Sequence, residues 1–443
     1  MKNLIKKITP DFLLNWYYFA LSALGAILYC FPSRKIKIIG VAGTDGKTTT
    51  TALIVAILEQ ARYKVASIST VRFKIGDKEW KNTLKMTMPG RFNLQQFLKQ
   101  AVNARCDYAV LEVTDEGIKQ HRHQFINFKT AVLTNITPEH IEAHGSFEKM
   151  RKENEKLFQI AKEAHIINLD DENAKYFLKH SSWQKFCYGL NNNLKIENCK
   201  FIRATNIRTS EKGIEFMVNN IKFCSELLGE FNIYNVLAAI CVGLLEGISL
   251  EDCQKALEKF QGVPGRMEII IKEPFRAIVD YAHTTASLEK VYQTIQDLKL
   301  NSLAGGQDSK LICVFGSCGG GRDKWKRPEF GEIAAKYCEE IILTNEDPYD
   351  ENPDQVLENI EKGILKIKNL KLNENLKIKI KNYQKILDRR EAIKKSLELA
   401  KPGDVVIITG KGREPWICVA EGKKIPWDDG KIVKEEFEKL YQL

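Results

Sequence analysis

The residues best suited to chemistry lie in a short glycine-rich segment near the start of the chain. Residues 40–48 read Gly-Val-Ala-Gly-Thr-Asp-Gly-Lys-Thr, which predicts a phosphate-binding loop with Gly40, Gly46, Lys47 and Thr48 at its key positions. In such a loop, glycines let backbone N–H groups turn toward phosphate oxygens, the lysine neutralises charge, and the threonine hydroxyl can ligate Mg²⁺. An incidental glycine-rich turn is the alternative. We expect nucleotide binding here, with ATP and Mg²⁺ as cofactors.

A loop of this kind needs a strand before it and a helix after it. The apolar runs at 36–39 and 52–58 supply these two elements. Strand-like and helical runs then alternate, and the alternation restarts after the Gly-Val-Pro-Gly segment at 262–265. This pattern is typical of parallel sheets covered by helices. The sequence therefore predicts an α/β fold, with a P-loop doubly wound central ATPase domain and a C-terminal Rossmann-like α/β domain.

We expect three regions along the chain. They are an apolar N-terminal helix region at 1–34, the central ATP-binding domain at 35–264, and the C-terminal domain at 265–443. Residues of about 185–227 read as short alternating segments, which favours antiparallel strands within the central domain.

The composition narrows the class of protein. Hydrophobic residues make up 44% and charged residues 28% of 443, as in soluble globular proteins. A net charge of +10 suits nucleotides, an anionic membrane or nucleic acid, but no basic block with interleaved aromatics is present, so we expect no nucleic acid partner. The eleven cysteines include no Cys-x-x-Cys pair, so we expect reduced thiols in a cytoplasmic protein, without zinc ribbons or disulfides.

The N-terminal region is unusually apolar. Residues 12–33 contain no charged side chain, and the stretch is long enough to cross a bilayer. Basic residues flank it at Lys2, Lys6, Lys7, Arg34 and Lys35. One interpretation is a helix docked on the ATPase domain or on a partner. The other is a membrane-associated helix that holds the protein at the inner face of the plasma membrane.

Several further segments complete a recognisable set of motifs. They lie at residues 43–49, 133–145, 229–235, 262–268, 279–284, 319–324 and 410–412. Together they resemble the Mur ligase family, the ATP-dependent amide-bond ligases of peptidoglycan synthesis, and within it the UDP-N-acetylmuramoyl-tripeptide synthetase (MurE) type. The resemblance runs from about residue 36 to the C-terminus.

The resemblance implies that the protein activates a carboxylate. ATP phosphorylates a substrate acid to an acyl phosphate, an amine attacks it, and phosphate leaves. The protein mainly supplies positioning and charge neutralisation. The expected function is therefore that of an ADP-forming ligase that adds an amino acid to a muramoyl-peptide carboxylate, with small-molecule substrates and with the amino acid bound by the C-terminal domain.

The resemblance also assigns nucleotide, metal and catalytic residues. The ATP ligands would be Gly43, Thr44, Asp45, Gly46, Lys47, Thr48, Thr49, Asn232, Asn235, Arg266, Asp280 and His283. The metal ligands would be Thr48, Glu112 and His140, and the catalytic residues Lys47, Glu112, His140 and Arg266. From the residues alone, Glu112 at a strand end could instead cap a helix, the two asparagines could cap the helix they begin, and His140 could be a surface histidine.

The substrate residues follow in the same way. Thr87 and Met88 match a Thr-Thr-Pro stretch that meets the muramoyl peptide, and Arg122 matches an arginine that pairs with its carboxylates. The amino acid would meet Asp347, Tyr349, Arg413 and Glu414.

The sequence departs from the MurE pattern in five places. Only 39 residues precede Gly40, so we expect a short form without the UDP-binding domain, and an acceptor that is held differently or is lipid-linked. Asn154 stands where the family has a carbamylated lysine, and Thr-Asp-Glu at 114–116 replaces Ser-Ser-His. Glu-Asp-Pro-Tyr at 346–349 replaces Asp-Asn-Pro-Arg, which removes a bidentate clamp for a distal carboxylate and favours lysine or a similar amine. Arg413 replaces a histidine.

Two alternatives to the leading function stay open. The protein could be a Mur-ligase-like enzyme that acts on a lipid-linked or non-UDP acid, with an amidating or polyglutamate-type product. It could also be a non-catalytic nucleotide-binding scaffold, which the loss of the lysine at Asn154 favours.

Overall fold

The structure is a computed structural model that describes residues 10–191, 196, 198–301, 309–371 and 379–442. Its first part contains one N-terminal helix and a central α/β unit. The helices there are α1 Asp11–Leu28, α2 Lys47–Gln60, α3 Arg91–Asn103, α4 Asp115–Lys119, α5 Ile141–His144, α6 Phe147–Ile160, α7 Ala174–Leu178, α8 Phe231–Leu245 and α9 Leu250–Glu258, with a 3₁₀ turn at Pro32–Arg34. The strands are β1 Lys37–Ala42, β2 Val65–Ile68, β3 Arg72–Ile75, β4 Lys78–Lys81, β5 Tyr108–Glu112, β6 Phe128–Leu133, β7 Ala164–Asn168, β8 Gln184–Gly189, β9 Lys200–Arg203, β10 Thr205–Ser210, β11 Gly213–Val218 and β12 Ile221–Ser225.

The second part is another α/β unit. Its strands are β13 Glu268–Ile271, β14 Arg276–Val279, β15 Leu311–Phe315, β16 Glu340–Leu343, β17 Asn382–Lys385, β18 Val405–Ile408, β19 Trp416–Cys418 and β20 Lys424–Pro426. Its helices are α10 Thr285–Asn301, α11 Lys326–Tyr337, α12 Pro353–Lys371, α13 Arg389–Leu399 and α14 Asp429–Tyr441, with a 3₁₀ turn at Ala420–Gly422.

The central sheet places the phosphate loop between two other strand ends. Its order is β4-β3-β2-β5-β1-β6-β7-β8-β9, parallel from β2 to β9, with β3 and β4 as an antiparallel extension. Val41 of β1 lies opposite Glu112 of β5, and Ala42 lies opposite Leu133 of β6. Because the carboxyl ends of parallel strands meet at one edge of a sheet, three loops converge there.

Hydrophobic packing fixes this sheet on both faces. One face buries α2, α8 and α9, and the other buries α3 and α6. The helix that follows the phosphate loop, α2, is buried almost throughout, so its N-terminus is held firmly at the sheet edge.

The antiparallel expectation for residues of about 185–227 is right only in part. Strands β10, β11 and β12 form a separate antiparallel sheet, whereas β8 and β9 extend the parallel sheet. Short alternating segments cannot distinguish these cases, because pairing direction is set by what each strand lies beside.

The C-terminal sheet has the order β13-β14-β18-β15-β16-β17 and is parallel except for β13. Apolar cores cover both of its faces. The α/β architecture expected for both parts is therefore confirmed, while the exact domain limits at 34 and 264 stay a prediction.

The expectation of unpaired cysteines is wrong for four of the eleven. Disulfides join Cys187 to Cys199 and Cys313 to Cys338. Neither pair has the short Cys-x-x-Cys spacing, because tertiary packing brings these residues together over 12 and 25 positions. The other seven cysteines are free thiols.

The N-terminal helix α1 packs along one side of the central domain. Ser22 Oγ donates to the carbonyl of His121 at 2.7 Å, and the Arg91 guanidinium lies 4.2 Å from the centre of the Tyr18 ring. The opposite side of α1 is exposed. Within the described ranges, no helix has both the length and the apolar character needed to span a bilayer.

Candidate active site

The phosphate loop runs from the end of β1 to the start of α2. Gly43 and Gly46 have φ of 135° and 81°, in the region that favours glycine. A Cβ atom on Gly43 would collide with Thr134, and one on Gly46 would collide with Asn235. The loop is thus pressed against its neighbours and requires glycine at both positions.

Gly40 does not belong to this loop. Five residues, not four, separate it from Gly46, and it lies inside β1. A side chain there would press on Phe128 and Leu157, so Gly40 serves close packing of the strand. Glycine spacing alone could not separate a loop glycine from a packing glycine.

Lys47 and the threonines face the mouth of the loop. Lys47 Nζ donates to the carbonyls of Gly43 and Thr44 at 2.8 and 2.6 Å. Thr44 N donates to Asn135 O at 2.8 Å, which ties the loop to the segment after β6. Thr49 is a buried residue in the first turn of α2.

Glu112 forms the centre of a buried hydrogen-bond group beside the loop. Thr48 Oγ1 donates to its carboxylate at 3.1 Å, and Thr70 donates through its backbone N at 2.9 Å. Glu112 does not cap the following helix, because the Thr114 side chain accepts from Gly117 N in that role. The helix-cap alternative for Glu112 is therefore wrong.

Arg266 belongs to the C-terminal part of the chain, and its guanidinium reaches the phosphate loop. Its Nη2 donates to Thr48 Oγ1 at 3.1 Å, and its guanidinium lies 4.2 Å from the centre of the Tyr281 ring. Asp45, in the loop, accepts from Thr284 Oγ1 at 3.2 Å. The two parts of the chain thus meet directly over the loop.

His140 is an oriented histidine rather than a surface one. Its side chain is only 21% exposed. Its Nδ1 lies 3.0 Å from Asp115 Oδ2, and its Nε2 contacts the Arg322 guanidinium. Asp115 also lies 2.8 Å from His144 Nε2, so the acid that replaces a serine of the family pattern holds two imidazoles.

The charges around these histidines are strongly coupled. Burial disfavours protonated His140, but Glu139 and Asp115 outweigh burial and raise the pKa of His140 above its usual value. Burial likewise acts against the carboxylates, but His140 and a second imidazole hold the pKa of Asp115 and that of Glu139 well below their usual range. His283 is the second partner of Glu139, with its Nε2 at 3.2 Å.

Behind the loop lies a pair of buried asparagines. Asn235 Nδ2 donates to Asn232 Oδ1 at 2.8 Å, and its Oδ1 accepts from Thr50 at 3.2 Å. Asn232 Nδ2 donates to the carbonyl of Leu228. No side chain caps the start of α8, so the capping alternative for the two asparagines is wrong.

Asp280 directly follows β14 and holds the turn there through backbone hydrogen bonds. It accepts from the backbone N–H groups of Met267 and Ala282 at 2.7 and 2.6 Å, while burial raises its pKa. Its predicted contact with the ribose stays a prediction.

The acceptor residues lie on the same side as Glu112. Thr87 Oγ1 lies 2.8 Å from Thr70 Oγ1, and Arg122 donates to the carbonyl of the buried Met88. Among the described residues no carboxylate lies within ion-pair distance of Arg122, and its Nε has no hydrogen-bond partner. A guanidinium held only by neutral groups is suited to an incoming carboxylate.

Across the cavity, two acids form what we call the amine seat, Asp347 and Glu414. Lys411 Nζ lies 2.8 Å from Asp347 and 2.6 Å from Glu414, and Lys85 Nζ contacts both acids as well. Burial acts against ionised Glu414, but the two lysines lower its pKa to about 2. Sequence reasoning missed both lysines, although Lys411 lies within the Gly-Lys-Gly motif.

Tyr349 and Arg413 flank the amine seat differently. Tyr349, with φ of 52°, fills the space beside Gly320. Arg413 is turned away: it donates to Glu268 at 2.7 and 2.8 Å and to Asp428 at 2.8 Å. Because these acids already satisfy its guanidinium, the geometry does not support Arg413 as a substrate ligand.

Asn154, the position of the missing lysine, is buried on α6. Its Nδ2 donates to the carbonyl of Met150 at 3.1 Å, and it does not line the cavity. Among the residues that the structure describes, no group of three or more His, Cys, Asp or Glu side chains is arranged to hold a metal by itself.

One cavity of about 1130 Å³ joins these groups. The predicted residues that line it are Thr44, Asp45, Gly46, Lys47, Thr48, Thr49, Thr87, Met88, Glu112, Arg122, His140, Asn232, Asn235, Arg266, Asp280, His283, Asp347, Tyr349 and Glu414. Additional lining residues that sequence reasoning passed over include Lys85, Glu139 and Arg322. The volume exceeds that of a pocket for a single small ligand and suits several substrates together.

The fold and the site define a P-loop α/β enzyme whose nucleotide loop is closed over by a second α/β domain. Two family models match most of the chain: the Mur ligase middle domain at 41–243 and the Mur ligase glutamate ligase domain at 265–412. The chain therefore belongs to the Mur ligase family, whose members are ATP-dependent, ADP-forming amide ligases of peptidoglycan precursor synthesis.

Similar proteins support this assignment. A UDP-N-acetylmuramoyl-L-alanyl-D-glutamate–2,6-diaminopimelate ligase of Clostridium acetobutylicum is 35% identical over 428 residues, which cover 95% of this chain and 82% of that protein. A UDP-N-acetylmuramyl-tripeptide synthetase of a Roseiflexus species is 34% identical, over 93% of this chain and 80% of that protein.

Solved structures agree on the fold. A UDP-N-acetylmuramoyl-L-alanyl-D-glutamate–2,6-diaminopimelate ligase superposes with a TM-score of 0.58 at 28% identity and covers 92% of this chain and 79% of its own. A folylpolyglutamate synthase of Mycobacterium tuberculosis reaches a TM-score of 0.68, over 96% and 95% of the two chains, at 14% identity. The latter likeness concerns the fold alone.

Proposed function

We propose that this protein is an ATP-dependent ligase that adds an amino acid to a muramoyl-peptide carboxylate through an acyl phosphate. The observation that carries the proposal is one cavity that joins a phosphate loop, an arginine with no acid partner among the described residues, and a pair of buried acids. These are the groups that a triphosphate, a carboxylate and an amine require.

The nucleotide end is built for a magnesium–triphosphate. Thr48 and Glu112 present a hydroxyl and a carboxylate 3.1 Å apart at the loop, which fits the few protein ligands that Mg²⁺ takes beside phosphate oxygens. When bound there, Mg²⁺ would neutralise phosphate charge. Lys47 and Arg266 add two cations at the same place. His140, whose ring nitrogens contact Asp115 and Arg322, stays a predicted metal ligand.

The acceptor end is built for an anion. Arg122 holds its guanidinium among neutral carbonyl oxygens, and Thr87 lies beside the Thr70 and Glu112 group. A substrate carboxylate paired with Arg122 would lie between that group and the phosphate loop, where its oxygen can attack a terminal phosphate.

The amine end favours a different amino acid from that of the diaminopimelate ligases. Tyr349 and the amine seat offer two acids and a phenol, and Arg413 is engaged elsewhere. Because Tyr349 stands where the family pattern has the arginine that clamps a distal carboxylate, we propose lysine or a similar amine as the added group.

Phosphate release tests the proposal. Purified protein would be assayed with Mg²⁺-ATP, UDP-linked or lipid-linked muramoyl dipeptide, and a panel of amino acids, with products identified by mass spectrometry. We expect release only when an acid and an amine are both present. ATP binding without turnover for any pair would favour the non-catalytic scaffold instead.

A second proposal concerns location. The outer side of α1 exposes Phe12, Trp16, Leu24, Ile27 and Leu28, each more than half exposed. Basic residues flank the helix in the sequence, and the one acid within it, Asp11, is its first residue, so the rest of the helix suits the surface of an anionic bilayer. The inner side of α1 contacts His121 through Ser22, and His121 is the sequence neighbour of Arg122. A lipid surface against the outer side of α1 would therefore lie near the acceptor end. We therefore propose peripheral membrane contact, and a lipid-linked acid as the alternative acceptor.

Vesicle co-sedimentation tests this location. The protein should bind phosphatidylglycerol vesicles more than phosphatidylcholine vesicles, and Trp16→Ser with Ile27→Ser should abolish binding. Trp183→Ser is the matched control, since Trp183 is 81% exposed elsewhere on the surface. Equal binding by the double variant, or self-association through α1 without lipid, would contradict the proposal.

A further inference from the structure

The amine seat already holds two ammonium groups, and they differ in origin. Lys411 follows β18 and belongs to the same domain as Asp347 and Glu414. Lys85 comes from the central domain, in the segment between β4 and α3, and crosses to the seat. Its Nζ lies 2.6 Å from Asp347 Oδ2.

The two lysines also differ in access. The Lys411 side chain is fully buried and does not line the cavity. The Lys85 side chain is 13% exposed and does line it. Lys411 is therefore a fixed counter-ion, whereas Lys85 is an ammonium on a flexible four-carbon chain that can leave toward the cavity.

The two carboxylates of the amine seat require two cations beside them. Two carboxylates face one fixed ammonium, so without a second cation one buried negative charge would remain unpaired, which is strongly unfavourable. Burial acts against charged Lys85, but Glu414 and Asp347 outweigh burial and raise the pKa of Lys85. It thus stays protonated and supplies the second cation.

We propose that Lys85 is a resident competitor for the amine seat, which the cationic group of the incoming amino acid displaces. This inference rests on the proposed function and adds to it a residue that sets the affinity for the amine. The seat selects a primary ammonium on an unbranched chain, because that is the group Lys85 presents to it. Lys85 is two residues from Thr87, so its departure also frees space beside the acceptor end.

The chain offers a matched control. Lys81, four residues earlier, also crosses between the domains and lies 3.0 Å from Asp428, but its side chain is 41% exposed and outside the cavity. Lys81→Met therefore removes an interdomain ion pair without touching the seat. Lys85→Met removes the competitor, and Lys85→Arg keeps a cation in its place.

Steady-state kinetics and calorimetry test the proposal with L-lysine as the probe. At saturating ATP and acceptor, Lys85→Met should lower KM for L-lysine about tenfold and change kcat less, while Lys81→Met should leave KM within about twofold. Lys85→Arg, which keeps a cation but not a primary ammonium, should lower KM less than Lys85→Met does. Isothermal titration of L-lysine into the enzyme, without turnover, should show the same order of affinities. Circular dichroism would check that every variant is folded.

The outcomes separate this inference from the proposed function. Unchanged or weaker L-lysine binding by Lys85→Met, or no binding to any variant, would overturn the competitor role. If the wild type turns over no acid–amine pair but Lys85→Met still binds L-lysine more tightly by calorimetry, the proposed function fails while the competitor role stands.

Discussion

The phosphate loop and the amine seat lie at two ends of one cavity and treat charge in opposite ways. The loop consists of glycines, threonine hydroxyls, Asp45 and one lysine, whose ammonium bonds two backbone carbonyls. The seat consists of two acids and two lysines, brought together from both domains. Most groups of the loop are neutral dipoles, whereas the four side chains of the seat are all ionisable.

The difference follows from what each ligand brings. A triphosphate brings its own negative charge and metal. A site for it can therefore consist, before the ligand binds, of backbone N–H groups and one lysine. Two buried carboxylates side by side, as in the amine seat, need cations beside them, because an uncompensated charge there would destabilise the fold. We expect changes in the loop to remove activity with little effect on stability, and changes at the fixed lysine of the seat to lower stability.

Lys47→Ala should give the largest effect and tests the loop side of the comparison. Loss of the ammonium leaves the phosphate charge without its main protein counter-ion, so kcat/KM for ATP should fall by about 10³-fold or more. Phosphate release measures the rate. The midpoint of thermal unfolding should stay close to that of the wild type, because Lys47 bonds only at the mouth of the loop. Near-normal turnover would exclude the phosphate role.

Lys411→Met tests the seat side. Removing a fully buried counter-ion leaves a carboxylate poorly paired, so the free energy of unfolding at pH 7 should fall by about 3–5 kcal/mol in urea titrations. Lys85→Met, at a partly exposed position, should cost less. An equal loss for both variants would contradict the distinction between a fixed and a displaceable lysine.

The pH dependence of Lys411→Met sharpens this test. In the wild type the pKa of Glu414 is about 2 against an ordinary 4.5, so its ionised form contributes stability above pH 4.5 that is lost as pH falls toward 2. Without Lys411 that depression shrinks. The gap in stability between variant and wild type should therefore narrow below pH 4.5, as measured by urea titration at each pH.

Glu112→Gln should have a smaller effect and separates metal binding from phosphate binding. The amide keeps the size of the side chain but loses the charge that faces Thr48, so turnover should fall about 10²-fold. The Mg²⁺ concentration for half-maximal rate should rise. Thr48→Ser keeps the hydroxyl and should retain the wild-type Mg²⁺ dependence, and an unchanged dependence in Glu112→Gln would place the metal elsewhere.

The same comparison explains what the sequence could predict. The phosphate loop is formed by neighbouring residues in the chain: a strand, a glycine turn and a helix follow one another. The sequence pattern therefore predicts Gly46, Lys47 and Thr48 as one motif. The parallel alternation that places Glu112 beside them was also readable, because strand ends share one edge. The α/β architecture of both domains could therefore be derived from pattern alone.

The seat could not be read in the same way. Lys85 and Asp347 are 262 positions apart and meet across the contact between the two domains. Arg413 lies next to Glu414, but its guanidinium pairs with Glu268, a partner that no local pattern reveals. Ionic contacts between distant segments depend on tertiary packing, so sequence reasoning found the acids and missed the cations that neutralise them.

Asp115→Asn should produce the smallest effect, a shift in one titration, and it tests whether the nucleotide end also contains an ionic group that the loop motif hides. Burial lowers the pKa of His140, and Glu139 and Asp115 raise it above 6.5 overall. A raised pKa means that protonated His140 adds stability below about pH 6.5, and that this contribution is lost as pH rises through the folded-state value. In Asp115→Asn the His140 pKa should be lower and the stability near pH 6 reduced.

NMR titration of the His140 imidazole in metal-free buffer measures that shift, with His140→Gln to assign the signal. A lower midpoint in Asp115→Asn means that the acid which replaces a serine of the family pattern sets the charge of the neighbouring histidine. An unchanged midpoint means that Glu139 alone sets it, 3.7 Å from His140 Nε2. If the midpoint is lower, an ionic pair lies at each end of the cavity. The contrast with the amine seat then applies to the phosphate loop alone and not to the whole nucleotide end.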